Sequence, residues 1–537
     1  MSRDRLRKEQ YDMIKIDLSL PYRYNTETIK TEISSRVPIQ ASEIGEVSIL
    51  RRELVIRDGI PSYKTSVAFC ASEDKEAGLL KIRNKVFRYD KEVFTPPASR
   101  LAMRPVVVGS GPAGLFAALT LAEAGAKPIV LERGLAVEER CAKIDTFNRF
   151  GVLDTECNAQ FGEGGAGTYS DGKLKAGARD KYKMKVLNEF VLAGADESIT
   201  YSTSAHLGTD KLPSIVKAIR EKIISLGGEF IFSAKVVDLL VEDSRARCVI
   251  YEKAGERVEI GTDTVILATG HSARDTIRML KSKGLPMSAR GFGIGMRIEH
   301  PRELMNKIVY GSAAEKIDET ASYHLVTHLP SGRSVYSFCM CPGGTVVAAT
   351  SEEGSIVTNG MSEYARKAEN SNAALLVSVT PDDFGSDDPL AGIAYQERIE
   401  RAAYSLTGLY RAPAISLHEL MDGKRASGNF DVKPSYPIGV EPRHPDEYMP
   451  EFISESLRSA MPDFDAWLGG YAYGGATLTG PETRTTSPVR IERGESGEVQ
   501  GFVGIYPIGE GAGYAGGIVS SATDGIRIAE KILLSVK

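Results

Sequence analysis

The sequence predicts an α/β protein with a doubly wound domain, a largely antiparallel domain inserted into it, and a small α/β unit in front. Three observations predict this. An apolar strand, a glycine-rich turn and an apolar helix follow one another over 104–125, as at the opening of a doubly wound domain. After about residue 285, strands of alternating polarity dominate. The strand–loop–helix pattern then returns over 501–533.

The composition is typical of a globular protein of several domains. The 537 residues are 42% hydrophobic and 26% charged, which predicts roughly two to four domains. The formal net charge of −5 argues against nucleic acid or an anionic membrane surface as a partner. The chain starts with a charged segment that lacks the apolar core of a signal peptide. The charge-free stretch 106–122 contains three glycines and a proline, so we expect no membrane span.

The cysteines carry information about the compartment. All six are scattered through the chain, without a CxxC motif and without the spacing of a zinc site. This usage is typical of a reducing environment. We therefore expect a cytoplasmic protein.

The N-terminal segment 1–95 predicts a small α/β unit of ferredoxin-like order. MIKIDLSL at 13–20 alternates like a strand, and 25–37 has the apolar spacing of a helix. The segments 48–57 and 62–69 predict a hairpin, and KVFRYD a last strand.

The changes of pattern along the chain predict four segments. The N-terminal unit is followed by a proline-containing linker at 93–105. We expect the doubly wound domain to occupy 96–285 and 466–537, with the inserted substrate domain at 286–465.

The glycine-rich turn fits the dinucleotide-binding fingerprint. Gly109, Gly111 and Gly114 follow an apolar strand and open a helix. The first glycine permits a tight turn, the second lets backbone approach a pyrophosphate, and the third allows the helix to pack on the strand. Glu132 ends the next predicted strand, about 20 residues further on, where an acid binds ribose hydroxyls and repels a 2′-phosphate.

FAD and NAD share this fingerprint, and the choice between them comes from a resemblance. VVVGSGPAGLFAALTLAEAGAKPIVLERG, GEFIFSAKV, VILATG and GIYPIGEGAGYAGGI occur in this order. Together they resemble the FAD-binding segments of the flavoprotein superfamily that includes p-hydroxybenzoate hydroxylase and glutathione reductase. NAQFGEGGAGTYSDGKL, ATGHSARDT, FCMCPGG and TNGMS resemble bacterial FAD-dependent dehydrogenases of unassigned substrate. The resemblance implies a Rossmann-like FAD-binding domain with an inserted substrate domain and noncovalently bound FAD.

The resemblance also implies which positions contact the cofactor. Arg133 would flank the adenine and Val236 would meet it through the backbone. Glu510 stands where relatives usually carry an aspartate that binds the ribityl chain, and the last helix would direct its N-terminus at the flavin. The implied set is Gly109, Ser110, Gly111, Pro112, Ala113, Gly114, Glu132, Arg133, Gly167, Thr168, Val236, Thr269, Gly270, Gly509, Glu510, Gly517 and Ile518.

Three residues are candidates for catalysis. Lys173 ends a glycine-rich loop over 162–174, which either wraps the cofactor, with Thr168 as a donor, or is an ordinary surface loop. Arg297 either binds an anionic substrate or reduced flavin, or forms a surface ion pair on the strand face that carries Glu299. The third candidate is Cys341.

The CxC segment gives the reason for considering Cys341. One residue separates Cys339 from Cys341 in a predicted strand, so their side chains would lie on the same face. They are either an electron-shuttling dithiol or buried inert thiols.

The histidines suggest little chemistry. His324 and His328 have helical i,i+4 spacing in a strand-like context, so we expect no metal site. His271, just after the predicted strand VILATG, either touches the cofactor or caps the following helix.

We therefore expect an FAD-dependent oxidoreductase, a dehydrogenase or reductase, acting on a small organic substrate. Because the sequence has one credible dinucleotide fingerprint, NAD(P)H either visits transiently as an electron donor or electrons come from elsewhere. An electron-transfer flavoprotein that docks a protein partner through the N-terminal unit is the alternative. A nucleic-acid-associated flavoprotein is disfavoured, because 1–95 has neither an RNP-type aromatic motif nor a basic stripe. The sequence makes no prediction about the oligomeric state.

Overall fold

The computed structural model describes residues 13–82, 85–89, 94–174 and 180–535. The charged start of the chain therefore lies outside the described residues. Within them the chain divides into two compact units. The first comprises the residues up to Thr95 with Asp196–Ala205 and Tyr310–Glu319, and the second comprises the remainder.

The first unit has the ferredoxin-like order that the sequence predicts. Its described elements are β1 (Met13–Pro21), α1 (Thr26–Arg36), β2 (Val47–Arg57), β3 (Ile60–Phe69), α2 (Glu73–Leu79) and β4 (Val86–Tyr89). The strands form an antiparallel sheet in the order β2-β3-β1-β4, with a helix in each of the β1–β2 and β3–β4 connections.

Local sequence explains the elements of this unit. Every second residue of β1 from Ile14 to Leu20 is buried, and this apolar face shares a core with Ile33 of α1. Asp58 and Gly59, both with positive φ, form the two-residue turn between β2 and β3.

The second unit alternates strands and helices at both ends. Its described strands are β5 (Val106–Val108), β6 (Ile129–Leu131), β7 (Glu229–Ile231), β8 (Lys235–Glu242), β9 (Arg245–Lys253), β10 (Glu256–Gly261), β11 (Val265–Leu267), β12 (Met287–Ala289), β13 (Phe292–Pro301), β14 (Val326–His328), β15 (Ser334–Cys341), β16 (Thr345–Ala348), β17 (Thr358–Met361), β18 (Asn370–Val379), β19 (Ala412–Ser416), β20 (Val440–Pro442), β21 (Thr477–Glu482), β22 (Val489–Ile491) and β23 (Ile505–Pro507). Its described helices are α3 (Pro112–Glu123), α4 (Val137–Phe150), α5 (Lys183–Leu192), α6 (Leu212–Ser225), α7 (Arg274–Ser282), α8 (Arg302–Tyr310), α9 (Ala391–Thr407), α10 (Leu417–Met421), α11 (Glu451–Trp467) and α12 (Ile518–Ser535).

A parallel sheet in the order β23-β11-β5-β6-β7 forms the doubly wound part of this unit. Its strand β23 comes from the last part of the chain and pairs with β11, beside β5. Helices α3 and α12 pack closely, since a Cβ at Gly525 would lie 2.2 Å from the carbonyl oxygen of Ala113. The prediction that the end of the chain returns to the first strands is confirmed.

A second sheet, in the order β14-β15-β18-β13-β21-β19-β20, forms the antiparallel part. Its neighbours are antiparallel except for the parallel pair β19–β20. Strand β21 (Thr477–Glu482) joins this sheet by pairing with β13, so the sheet also uses residues beyond the predicted end of the insert at 465. Within the described parts of the chain, no helix is long and apolar enough to cross a membrane.

Candidate functional site

A cavity of about 550 Å³ lies within the second unit. Its wall contains the loops that follow β5, β6, β11 and β23, together with residues of the antiparallel sheet. Ligands of open α/β sheets bind outside the carboxyl ends of the strands, and this volume is typical of a small-molecule or cofactor site.

Most of the positions implied to contact the cofactor line this cavity. They are Gly109, Ser110, Gly111, Pro112, Ala113, Glu132, Arg133, Gly167, Val236, Thr269, Gly270, Glu510, Gly517 and Ile518. Gly114, Thr168 and Gly509 lie outside its described lining. Among the catalytic candidates, Lys173 lines the cavity, whereas Arg297 and Cys341 lie outside the described lining.

The first glycine loop turns sharply between β5 and α3. Gly109 has a φ of +102°, and a Cβ there would lie 2.4 Å from the carbonyl oxygen of Ala268. A Cβ at Gly114 would lie 1.9 Å from the carbonyl oxygen of Gly109. At Gly111, by contrast, the nearest atom to a Cβ would be the Cα of Gly165, at 3.9 Å. Sterics thus require the first and third glycines, while the second borders free space in the cavity wall.

The Glu132 carboxylate is surrounded by protein donors. One oxygen accepts from the backbone nitrogen (3.0 Å) and hydroxyl (2.7 Å) of Ser110. The other accepts from the backbone nitrogens of Gly134 (2.9 Å) and Gly162 (3.0 Å). A carboxylate accepts about four hydrogen bonds, and these four donors already fill that number. Glu132 thus joins three loops, a role additional to the ribose contact that the sequence predicts. Ribose binding would have to displace or share one of these donors.

The loop 162–174 is organised by a buried arginine that the sequence analysis missed. Arg140 of α4 is 0% exposed. Its guanidinium donates to the carbonyl oxygens of Asn158 (3.0 Å), Ala159 (3.0 Å), Glu163 (2.7 Å) and Gly165 (2.9 Å). Glu163 and Asp171 in this loop are also buried, so the interpretation as an ordinary surface loop is wrong.

Thr168 and Lys173, the two residues of this loop that the sequence singled out, differ in their surroundings. The Thr168 hydroxyl is buried and has no hydrogen-bond partner among the described residues. Lys173 is half-buried, and its Nζ donates to the carbonyl oxygen of Met340. Burial lowers the pKa of Lys173. Lys173 therefore connects the glycine-rich loop to the end of β15.

The late glycine loop is fixed by Asp524, another residue that sequence reasoning missed. The Asp524 carboxylate accepts from the backbone nitrogen of Gly509 (2.9 Å) and from both terminal nitrogens of Arg493 (2.6 and 3.0 Å). The neighbouring Glu510 lines the cavity. Burial raises the pKa of Glu510 to about 8, with a contribution from the Cys339 thiolate and an opposing one from Arg290.

The expectation of a surface ion pair at Arg297 is corrected. Arg297 and Glu299 are both 0% exposed. Arg297 pairs with Glu482, which lines the cavity, and its Nε lies 2.7 Å from a carboxylate oxygen of that residue. Burial by itself would lower the pKa of Arg297, but the Glu482 carboxylate outweighs burial and the net direction is upward. Both faces of β13 are buried, so strand alternation did not identify a solvent-facing side.

A second buried ion network adjoins the cavity. Arg484 lines the cavity and is 4% exposed. It shares the Glu400 carboxylate with Arg274, at 2.8 Å for each pair of charged groups. His271 also lines the cavity, and burial together with the two arginines lowers its pKa to about 3. The N-cap residue of α7 is Ala273, so the cap interpretation of His271 is wrong.

The histidines of the HLVTH segment, His324 and His328, lie in different surroundings. His324 lines the cavity, whereas the Nδ1 atom of His328 lies 2.9 Å from the Ser334 hydroxyl on an exposed part of β14. Among the described residues, no group of three or more His, Cys, Asp or Glu side chains is placed to hold a metal ion.

Two family models match the chain. One described as pyridine nucleotide-disulphide oxidoreductase matches residues 103–285, and one described as FAD-dependent protein, C-terminal domain-like, matches residues 291–485. The chain is also 41% identical over 528 residues to an uncharacterized protein of Clostridium beijerinckii, covering 96% of this chain and 97% of that protein.

The solved structures that the chain matches are more distant. A 3-ketosteroid-Δ4-(5α)-dehydrogenase from Rhodococcus jostii is 15% identical with a TM-score of 0.33, covering 82% of this chain and 99% of that one. The flavin-dependent brominase Bmp2 is 12% identical with a TM-score of 0.35, covering 81% and 79%. A glycine oxidase from Bacillus cereus is 11% identical with a TM-score of 0.31, covering 80% and 97%. None of these likenesses bears on the substrate.

The fingerprint geometry and the two family matches agree. The matched segments carry a dinucleotide-binding domain and the C-terminal domain of FAD-dependent proteins. The chain belongs to the family of the Clostridium beijerinckii protein and is an FAD-dependent oxidoreductase.

Proposed function

We propose that the cavity holds FAD and that the enzyme transfers hydride or electrons between the flavin and a small organic substrate. One observation carries this proposal. One cavity of about 550 Å³ is lined by residues of both glycine loops, 109–114 and 509–518. The N-termini of α3 and α12 contribute to the same wall. A dinucleotide cofactor needs a phosphate-binding turn at one end and a site for its redox-active ring at the other.

The wall of the cavity fits such a ligand. A Cβ at Gly270 or at Gly516 would meet no atom of the described chain within 4 Å, so free space lies over the backbone at both positions. Helix N-termini present unpaired amides and the positive end of the helix dipole. We place the pyrophosphate at α3 and the flavin at α12, where these dipoles favour phosphate charge and negative charge on reduced flavin. Bound FAD would supply the hydride and electron chemistry.

Glu510 acts in this proposal as a proton-bearing group. Burial raises its pKa to about 8, so near neutral pH the carboxyl is largely protonated and donates a hydrogen bond. This longer, protonated acid stands where the sequence resemblance implied an aspartate that binds the ribityl chain.

The antiparallel domain supplies the substrate side in this proposal. Tyr323, His324, Glu482 and Arg484 line the cavity from that domain. The charged members are already paired, Glu482 with Arg297 and Arg484 with Glu400. In this proposal the substrate lies between this wall and the flavin.

The test is purification of the full chain followed by an absorbance spectrum and quantification of bound flavin. We expect one FAD per chain, released on denaturation because the binding is noncovalent. A protein that takes up no FAD, even when refolded or incubated with it, would overturn the proposal.

The electron donor is identified by an anaerobic titration of the flavin-loaded protein with NADH and with NADPH. Rapid bleaching by one of them identifies that nucleotide as the donor. Bleaching by neither, under conditions where dithionite reduces the flavin, shows that the donor is of another kind.

A further inference from the structure

The CxC segment at the end of β15 has an unusual backbone. Strand β15 pairs regularly with β18 up to Phe338 opposite Ala374, and pairing resumes at Cys341 opposite Asn372. Between them Cys339 has a φ of +42°, a conformation that side chains other than glycine rarely adopt. Such strain persists where the surrounding structure enforces it, and it concentrates at functional sites.

The bulge puts the two thiols in unequal positions. Cys339 is half-buried and lines the cavity, whereas Cys341 is 0% exposed. The Cys341 Sγ lies 3.2 Å from the carbonyl oxygen of Cys339. Cys339 thus lies at the wall of the proposed cofactor site, whereas Cys341 is fully buried.

Two cationic side chains hold this segment. Arg297 donates to the carbonyl oxygen of Cys339 (2.9 Å), and its nitrogen lies 3.9 Å from the Cys341 Sγ. Lys173 donates to the carbonyl oxygen of Met340. Positive charge beside a thiol favours the thiolate, which is the reactive form of cysteine.

The charges act differently on the two thiols. The neighbouring Cys341 thiol lowers the pKa of Cys339, and Arg297 and Lys173 act in the same direction against the effect of burial. Cys339 and burial raise the pKa of Cys341. A thiol at the cavity wall whose pKa is lowered, next to a buried thiol whose pKa is raised, is an arrangement in which one cysteine can react and the other resolve.

We propose that Cys339 and Cys341 are a redox-active pair that closes to a disulfide and passes its electrons to FAD. In this step two S–H bonds break, one S–S bond forms, and the pair loses two electrons and two protons. Bound, oxidised FAD would take up both electrons and one of the protons, and the other proton would go to solvent. The reverse step reopens the disulfide. The transfer to FAD rests on the cofactor site proposed above, whereas the formation of the disulfide does not.

The disulfide is tested on the flavin-free protein. The protein is equilibrated anaerobically in glutathione buffers of graded potential, quenched in acid, alkylated under denaturing conditions, and analysed by intact mass and peptide mapping. All six cysteines should be alkylated in reducing buffer, and two fewer in oxidising buffer, with the loss mapped to Cys339 and Cys341.

Variants make this measurement specific. Cys339→Ser, at the cavity wall, should abolish the paired loss, and Cys341→Ala should do the same. The matched variants Cys157→Ser and Cys248→Ser, at buried cysteines elsewhere, should retain it. Full alkylation in every buffer, or a disulfide that maps to other cysteines, would overturn the proposal.

The electron transfer is tested separately on the flavin-loaded, oxidised protein. Light-driven reduction of the bound flavin should reopen the disulfide, so that alkylation returns to all six cysteines. If the flavin bleaches while the disulfide stays closed, the transfer to FAD is refuted although the disulfide exists. A protein that binds no FAD would instead refute the proposed function.

Discussion

Gly509 faces Ala113 so closely that a Cβ at position 509 would lie 2.7 Å from the Cβ of Ala113. The two residues belong to glycine loops near opposite ends of the second unit's sequence, after β23 and β5. At this distance no side chain fits between them, so the loops pack directly against each other. The chain therefore builds one site from two glycine motifs, not two separate sites.

The first prediction concerns the free space at Gly111. Gly111→Val should weaken FAD binding by about 100-fold or more, roughly 3 kcal/mol, because its side chain would enter the space beside the helix N-terminus. The fold should be retained, since a Cβ there has 3.9 Å of clearance from Gly165. The ratio of flavin to protein absorbance, with circular dichroism, measures both. Gly494→Val, at an exposed glycine with open space around it, is the control, and stoichiometric FAD in Gly111→Val would contradict the assignment of this loop.

The second prediction concerns the carboxylate that joins three loops. Glu132→Gln replaces an acceptor oxygen by an amide that would face a backbone N–H of Ser110, Gly134 or Gly162. The free energy of unfolding should fall by about 1–3 kcal/mol, and the affinity for FAD should fall with it. Urea unfolding of the flavin-free protein and a binding titration give the two values. Glu256→Gln, at an exposed position of β10, should change neither, and an unchanged stability of Glu132→Gln would refute the joining role.

The third prediction follows from the raised pKa of Glu510, about 8 in the folded protein. Because an ordinary glutamate has a pKa of about 4.3, the folded state binds more protons than the unfolded state between these values. The contribution of Glu510 to stability therefore falls as the pH rises through this window.

Glu510→Gln should remove this fall. Its stability relative to the original protein should rise between pH 5 and pH 8, by at most about 1.4 kcal/mol per pH unit. Urea unfolding of the flavin-free protein across this range measures it. Glu303→Gln, on an exposed part of α8, is the control, and parallel pH profiles for Glu510→Gln and the original protein would show that Glu510 is ionised.

The fourth prediction concerns the arginine under the loop 162–174. Arg140→Lys should lower the free energy of unfolding by about 3 kcal/mol, because several buried carbonyl oxygens lose their donor. Hydrogen exchange in the loop should accelerate. Arg149→Lys, on the same helix with a side chain 67% exposed, should have no effect. Equal exchange rates in the two variants would contradict the organising role of Arg140.

The fifth prediction concerns the buried pair on β13 and β21. Arg297→Met should cost about 3–5 kcal/mol, because it leaves the Glu482 carboxylate buried without its partner. The double variant Arg297→Met/Glu482→Met should recover a large part of this loss. The surface pair of Arg411 with Glu441, with side chains 46% and 31% exposed, should give about 0–1 kcal/mol in the same double-mutant cycle. Equal coupling energies for the two pairs would contradict the buried pairing.

Most of the glycine-loop positions that the sequence predicted for the site line the cavity. The spacing of Gly109, Gly111 and Gly114 reflects a steric requirement within one short turn. It can therefore be recognised in the sequence without knowledge of the fold. The strand and helix that flank the loop are likewise recognisable from their periodicity. The same holds for the return of the chain at β23 and α12.

The residues that hold the site together escaped prediction because their partners are distant in the sequence. Arg140 acts on carbonyl oxygens of a later loop, Asp524 on Gly509 and Arg493, and Glu482 on Arg297. No local pattern marks a charged residue that will be buried by another segment. The surface interpretation of Arg297 was wrong for this reason.

By itself, the sequence determined the dinucleotide-binding fingerprint with its phosphate-binding turn and much of the order of strands and helices, since each depends on residues close together in the chain. The tertiary structure decided that two glycine loops share one cavity and that burial raises the pKa of Glu510. It also decided that Cys339 lines this cavity while Cys341 is buried. These properties depend on burial and on the distances between segments far apart in the sequence, which are set only when the chain folds.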